Sequence, residues 1–454
     1  MLLWFQPGPM KQSQVLARGA RTLMVGVLKP HGNPSPRRTC GSGKAPCRPR
    51  QRFGTSRWVR GPAPRAILTS RLAPMANRHR VYLVPGFFGF TQMGDKETER
   101  IAYFQNVPRL LQQRFKERGI DAQVHAVASS PTSGLEARAR DVFQEMARTA
   151  NEDDAQLHLV GHSTGGLDAR SVVSPRMAQE APAFVKRVRS VVTIATPHHG
   201  TPLASFFHEG DVGKTLLRYL WLFTFLTLHR KAMPFRTAAL QACYWLVLKS
   251  EQAKLPPNLF NQIVRLTADL SEGEREDLIR FFSQVGENQT LIQDLMPASM
   301  RAFNATTADR EGVRYGSVVT GAPPPKRAIP LLLTPDTLLH GIFSFLHAKS
   351  APLSPELQIP ARTAAQSQSL QDVFGRKFEP RSDGIVPSRS QVWGRVLHVA
   401  VADHMDVMGH FDQPPEYISW LKSGSDFQEP QFQAMWERVI DFTVGGAATV
   451  HPGN

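Results

Sequence analysis

The apolar run Gln156-Leu157-His158-Leu159-Val160 passes without a break into Gly161-His162-Ser163-Thr164-Gly165-Gly166. A buried strand ending in Gly-x-Ser-x-Gly and running on into small residues makes a very tight strand–turn–helix. The neighbours of the serine there must be nearly free of side chains. Gly161 and Gly165 meet that demand, and the turn then holds the Ser163 hydroxyl outward. The pattern constrains the fold to a sheet whose strands feed helices. It also makes Ser163 a candidate nucleophile, provided that the chain supplies a base and a carboxylate.

The rest of the chain follows the same strand–helix rhythm. Short apolar, β-branched runs at 81–85, 123–128, 188–195, 312–320 and 395–401 read as strands. Residues 97–118 carry Ile101, Phe104, Val107, Leu110, Leu111 and Phe115 at helical spacing, and helices are also expected over 134–149 and 165–173. Strands alternating with helices predict an α/β fold, a mostly parallel sheet covered on both faces. In such sheets the active site lies beyond the carboxyl ends of the strands.

Between 203 and 311 the rhythm breaks. Residues 215–228 (Thr-Leu-Leu-Arg-Tyr-Leu-Trp-Leu-Phe-Thr-Phe-Leu-Thr-Leu) are apolar nearly all round, within a mainly helical stretch. This insertion reads as a cap or lid over the strand ends, the competing reading being a plain buried helix. A second apolar region at 328–348, irregular in pattern, is expected to add to the cap.

In a sheet of this kind the catalytic groups follow in the chain order Ser, then Asp or Glu, then His. Asp383 fits as the acid, in the turn Ser382-Asp383-Gly384. His404 fits as the base, on the loop that follows the strand at 396–401. Other histidines are weaker candidates. His398 lies inside that strand, His410 is expected in the next helix, and His162 flanks the nucleophile and shapes the turn. Among the acids, Asp294 and Asp309 fall in the return from cap to sheet, and Asp372 precedes a basic loop. The oxyanion requires two preorganised backbone N–H donors. Thr164, just after the nucleophile, supplies one, and Phe87 in the glycine-rich turn Pro85-Gly86-Phe87-Phe88-Gly89 supplies the other.

A net charge of +16 suggests a nucleic-acid or membrane-surface binder until the charge is located. Residues 1–80 hold 16 of the 54 Lys and Arg and no Asp or Glu, so the remaining residues carry 38 of each sign. The body is therefore formally neutral, and no nucleic-acid partner is expected. Residues 1–78, rich in Arg, Pro, Gly and Ala, read as a disordered basic extension, with a start near Met75 the favoured explanation. Residues 79–445 read as the folded domain. Only Cys243 lies in it, which excludes an internal disulfide. The sequence carries no convincing signal peptide or membrane span, and this tilts the expected compartment toward the cytoplasm.

Six segments together resemble the bacterial triacylglycerol lipases and esterases of the α/β-hydrolase superfamily. They are residues 81–89, 159–170, 191–202, 294–300, 382–387 and 403–406. The resemblance implies an α/β-hydrolase fold, with Ser163 as nucleophile, Asp383 as acid and His404 as base. It further implies the Phe87 and Thr164 amides as the oxyanion hole, and a mobile apolar lid drawn from 203–311. Two departures stand out. Pro85-Gly86 replaces the family's His-Gly, a change of loop shape more than of chemistry. Some relatives bind a structural Ca²⁺ through an aspartate two residues after the catalytic histidine. Asp406 holds that position here, but a second ligand is not identifiable. His198 and His199 read as structural rather than metal-binding.

The expected activity is hydrolysis of lipid-like acyl esters through an acyl-enzyme, with no cofactor required. The substrate would reach the site with transient contact between the cap and a lipid interface. Acyl transfer or thioester cleavage by the same three residues is the enzymatic alternative. A non-catalytic lipid- or partner-binding protein is the alternative of another class.

Overall fold

The computed structural model describes residues 78–87, 92–93, 101–130, 132–150, 153–178, 183–228, 290–325, 334–352, 359–375, 381–411 and 421–445, with isolated residues 239, 241, 243, 244 and 357. All belong to the second of the two units into which the chain divides, 71–454. The basic extension expected over 1–78 lies outside the described residues, Arg78 apart.

The strands form where β-branched and apolar residues run together. In chain order the elements are β1 (His79–Val84), α1 (Val107–Glu117), β2 (Ala122–Ala126), α2 (Leu135–Ala150), β3 (Gln156–His162), α3 (Thr164–Val173) and β4 (Val188–Ile194). There follow α4 (Pro202–Glu209), α5 (Asp211–Leu228), α6 (Pro297–Thr306), β5 (Arg314–Thr320), α7 (Pro335–Ser350), α8 (Ala364–Phe374), β6 (Arg395–Ala400) and α9 (Glu429–Val444). The six strands make one all-parallel sheet in the order β2-β1-β3-β4-β5-β6. This is the α/β-hydrolase arrangement expected from the sequence.

Alternate residues of β1 serve the two faces, as a period of two requires. Val81 and Leu83 pack with Leu111 and Phe115 of α1 and Met435 and Trp436 of α9. Tyr82 and Val84 pack with Val142 and Met146 of α2 and Val172 of α3. A third apolar cluster joins Leu203 and Phe207 of α4, Leu216 and Leu217 of α5, and Leu338, Ile342 and Leu346 of α7. The order of the strands matters for the site. From β1 the chain moves to one side (β2) and then returns to the other (β3). The loops after β1 and β3 therefore diverge at a topological switch point, where open sheets bind ligands.

Three expectations are corrected. The helix expected over 97–118 begins only at Val107. Residues 97–100 lie outside the described part, and Ile101–Ala102 pair as an antiparallel strand with Gln92–Met93. Pro108 is the reason: without an N–H it is tolerated in a helix's first turn and not in its interior. The region expected to be irregular at 328–348 contains a regular 16-residue helix, α7, capped by the Thr334 side chain on the Thr337 N–H; residues 328–333 are not described. His410 is not in a helix. It follows a 3₁₀ turn over Asp406–Met408 and the left-handed Gly409. The expected cap is described only in part: its start is helical in α4 and α5, whereas 245–289 lie outside the described residues. No helix among the described residues is long and apolar enough to cross a membrane.

Candidate active site

Ser163 stands between β3 and α3 with φ 55° and ψ −129°, a conformation a non-glycine residue adopts only under constraint. Its N–H donates to the Ile194 carbonyl at 2.8 Å, tying the turn to β4. A Cβ on Gly161 would run into the Gly165 carbonyl, and one on Gly165 into the Val84 carbonyl. The close backbone approach read from the sequence is what these two positions provide.

Asp383 is completely buried. Its Oδ1 accepts from the N–H groups of Ile385 (3.0 Å) and Val386 (2.7 Å). Its Oδ2 accepts from Thr320 Oγ1 (2.8 Å), Gln391 Nε2 (3.1 Å) and His404 Nδ1 (2.8 Å). The His404 N–H also donates to the Asp383 carbonyl at 3.0 Å. With Nδ1–H directed at the carboxylate, Nε2 of a neutral His404 is left as an acceptor. Ser163, Thr164, His404 and Phe87 all line one cavity of ≈ 150 Å³. The rest of its wall is mostly apolar, including Leu203 and Phe207 of α4, Leu217, Leu220 and Phe223 of α5, and Leu346 of α7.

Thr164 opens α3, so its N–H has no intrahelical acceptor and points out of the helix start. The orientation of Phe87 is set by a buried ion pair. Arg138 of α2 and Asp168 of α3 meet at 2.8 Å with both side chains fully buried. Arg138 Nη2 also donates to the carbonyls of Pro85 (2.8 Å) and Gly86 (3.2 Å). In a trans peptide the N–H of Phe87 points opposite to the Gly86 carbonyl, so fixing one fixes the other. Burial pushes the Asp168 carboxyl up to about 6 despite the guanidinium beside it.

The rival residues are occupied elsewhere. Asp294 caps α2 through the Leu135 N–H (2.8 Å), Asp309 accepts from Trp393 Nε1, and Asp372 is on α8 with Gln368. His398 is in β6, half-buried. His198 is buried between Arg170, Thr193 and the Trp393 ring, and burial lowers the pKa of His199 to about 4. Asp406 does not fit a Ca²⁺ ligand. Its Oδ2 accepts from the Asp403 N–H (2.8 Å) and Ser425 Oγ (2.7 Å), while Asp403 accepts from the Met405 and Asp406 N–H groups and from Ser423 Oγ. Donors thus face these carboxylates where a hard cation would need oxygen lone pairs. Among the described residues, no group of three or more His, Cys, Asp or Glu could hold a metal ion.

Sequence reasoning missed Thr320, Gln391, Arg138 and Asp168. Arg138 carried a signal: it sits at helical spacing with Leu135, Val142 and Met146, so a charge falls on the buried face of α2. Thr320 and Gln391 carried none.

Residues 137–219 match the family model described as a PGAP1-like alpha/beta domain. No curated protein matches the chain by sequence. The structure is similar to EstA from Clostridium botulinum at 16% identity, covering 83% of this chain and 89% of that one, with a TM-score of 0.47. It is similar to lipase 1 from Pelosinus fermentans at 16% identity, over 80% and 98% of the two chains, TM-score 0.42. For Staphylococcus hyicus lipase the values are 13% identity, 82% and 96% coverage, and a TM-score of 0.44.

Proposed function

We propose that this α/β-hydrolase-fold chain is a serine hydrolase of carboxylic esters with lipid-like acyl groups. One observation carries the reading: the Asp383–His404 pair, joined at 2.8 Å, opens on the same apolar cavity as a serine held at a strained strand–helix turn.

In this reading Ser163 Oγ attacks the acyl carbonyl while His404 Nε2 takes its proton. Asp383 holds the imidazole's tautomer and stabilises the imidazolium. The tetrahedral oxyanion accepts from the Phe87 and Thr164 N–H groups. Removing one such donor typically costs a factor of about 10² to 10³. His404 then protonates the departing alkoxide oxygen, leaving the acyl group on Ser163. Water enters, gives a proton to His404 and adds to the acyl carbon. Collapse of the second tetrahedral intermediate returns the proton to Ser163 Oγ and frees the carboxylic acid.

The substrate preference rests on the wall of the cavity. An acyl chain gains roughly 0.8 kcal/mol per buried methylene there, whereas the headgroup stays at the mouth. Helices α4 and α5 supply much of this wall, and we assign them to a lid over the strand ends.

Comparing wild type and Ser163→Ala on 4-nitrophenyl esters from acetate to palmitate tests both parts. The variant should lose at least about 10⁴-fold in kcat, as knock-outs of catalytic triads do. The wild type should prefer chains longer than acetate. Equal rates for the two proteins would remove the mechanism, and a preference for acetate would remove the lipid-like substrate.

A further inference from the structure

Gly86 lies beside the nucleophile: a Cβ there would come within 2.6 Å of Ser163 Cβ and 2.7 Å of Tyr103 Oη. Arg138 takes its carbonyl, and its N–H donates to the Tyr103 hydroxyl. Tyr103 Oη stands 2.6 Å from His162 Nδ1, and His162 Nε2 stands 2.9 Å from the backbone carbonyl of His404. The rings of His162 and His404 are 4.7 Å apart between centroids. Tyr103 and His162 are both buried, and the backbone carbonyl of Tyr103 accepts from His410 Nε2 at 2.9 Å.

The directions of these bonds are determined. A carbonyl only accepts, so the His162 proton is on Nε2. Burial and the neighbouring His404 hold the His162 pKa well below 6.5, so the ring is neutral and Nδ1 is an acceptor. The Tyr103 hydroxyl must therefore donate to Nδ1, which leaves its oxygen to accept from the Gly86 N–H. The chain runs one way, from the turn that carries Phe87 to the loop that carries His404.

We infer that Tyr103 and His162 are positioning residues that set the oxyanion-hole turn and the His404 loop at a fixed distance through this chain of hydrogen bonds. Neither touches the reacting atoms through a polar group; each acts through the backbone at one end of the chain. Because the two ends must be in place together in the transition state, a break at any link should lower turnover more than it weakens substrate binding. His162 serves in this chain through both its ring nitrogens, one donor and one acceptor.

The inference rests on the proposed ester hydrolysis, and the experiment separates the two. Tyr103→Phe, His162→Leu, His162→Gln, the double variant Tyr103→Phe/His162→Leu and Ser163→Ala would be compared on 4-nitrophenyl butyrate, with thermal midpoints for each. Tyr103→Phe and His162→Leu should each lower kcat about 10- to 100-fold, with KM within about 3-fold. The double variant should be no slower than the slower single one, because the chain is already broken. His162→Gln, whose amide nitrogen reaches the Nε2 position, should recover part of the loss. Tyr103→Phe removes one oxygen and tests the chain even where His162→Leu does not fold. Unchanged kcat in Tyr103→Phe with Ser163→Ala inactive would overturn the inference alone. So would losses that multiply in the double variant, or that appear in KM. Full activity in Ser163→Ala would instead overturn the proposed function, and the inference with it.

Discussion

At the residue scale, Asp383 is held by more groups than the orienting role proposed for it needs at minimum. Two backbone N–H groups fix one oxygen, and Thr320 and Gln391 aim the other at His404. Asp383→Asn should leave the fold intact and cut kcat by about 10⁴-fold, because the amide stabilises the wrong imidazole tautomer. Steady-state kinetics beside circular dichroism checks this, and a loss under tenfold would contradict it. Ser163 and His404 were legible because each follows the end of a strand, and Asp383 because Ser382-Asp383-Gly384 is a distinctive turn sequence. Thr320 and Gln391 were not. A threonine at a strand terminus and a glutamine in a loop look like ordinary residues until the chain brings them to one carboxylate.

At the element scale, the strands were readable because buried parallel strands are continuous apolar runs. The start of α1 was not, since the apolar spacing of Ile101 and Phe104 continued past Pro108 and gave a helical period to a two-residue strand and the bend after it. The link between α2 and α3 was also hidden. Arg138 and Asp168 are buried together, so removing one partner leaves an uncompensated charge. Arg138→Met should cost about 3–5 kcal/mol in chemical denaturation, and Arg138→Met/Asp168→Leu should recover much of it. A loss below about 1 kcal/mol in the single variant would mean that Asp168 is not left uncompensated when Arg138 is removed. The helices assigned to the proposed lid give a prediction of their own. Leu217→Trp fills the cavity from α5, so hydrolysis of 4-nitrophenyl palmitate should fall relative to butyrate, with acetate little changed. A uniform fall across all chain lengths would place the acyl group elsewhere.

At the scale of the whole molecule, the charge that dominates the composition lies in a segment that the catalytic account does not use. What the folded domain does carry is a set of buried neutral histidines. Burial lowers the pKa of His158 to about 3 and of His410 and His199 to about 4, with His162 and His198 well below 6.5. Each is neutral in the fold but binds a proton below about 6.5 when the chain unfolds, so its contribution to stability is lost as pH falls from there. Asp168 (about 6) and Asp403 (about 7) are raised by burial and act in the opposite sense, losing stability as pH rises through those values. His79, His347 and His398 are lowered by burial as well, and Asp294 and Asp309 raised, so among the described residues eight histidines outweigh four aspartates below pH 6. The thermal midpoint should therefore drop by at least about 5 °C between pH 7 and pH 5 by scanning fluorimetry; a rise would contradict the burial argument. Covalent trapping tests whether Ser163 is the acylated nucleophile proposed for this site. An alkyl phosphonate ester should add one phosphonyl group to the wild type, on the peptide containing Ser163 by mass spectrometry, and none to Ser163→Ala. Labelling at another residue, or ester hydrolysis by Ser163→Ala at the wild-type rate, would contradict the account.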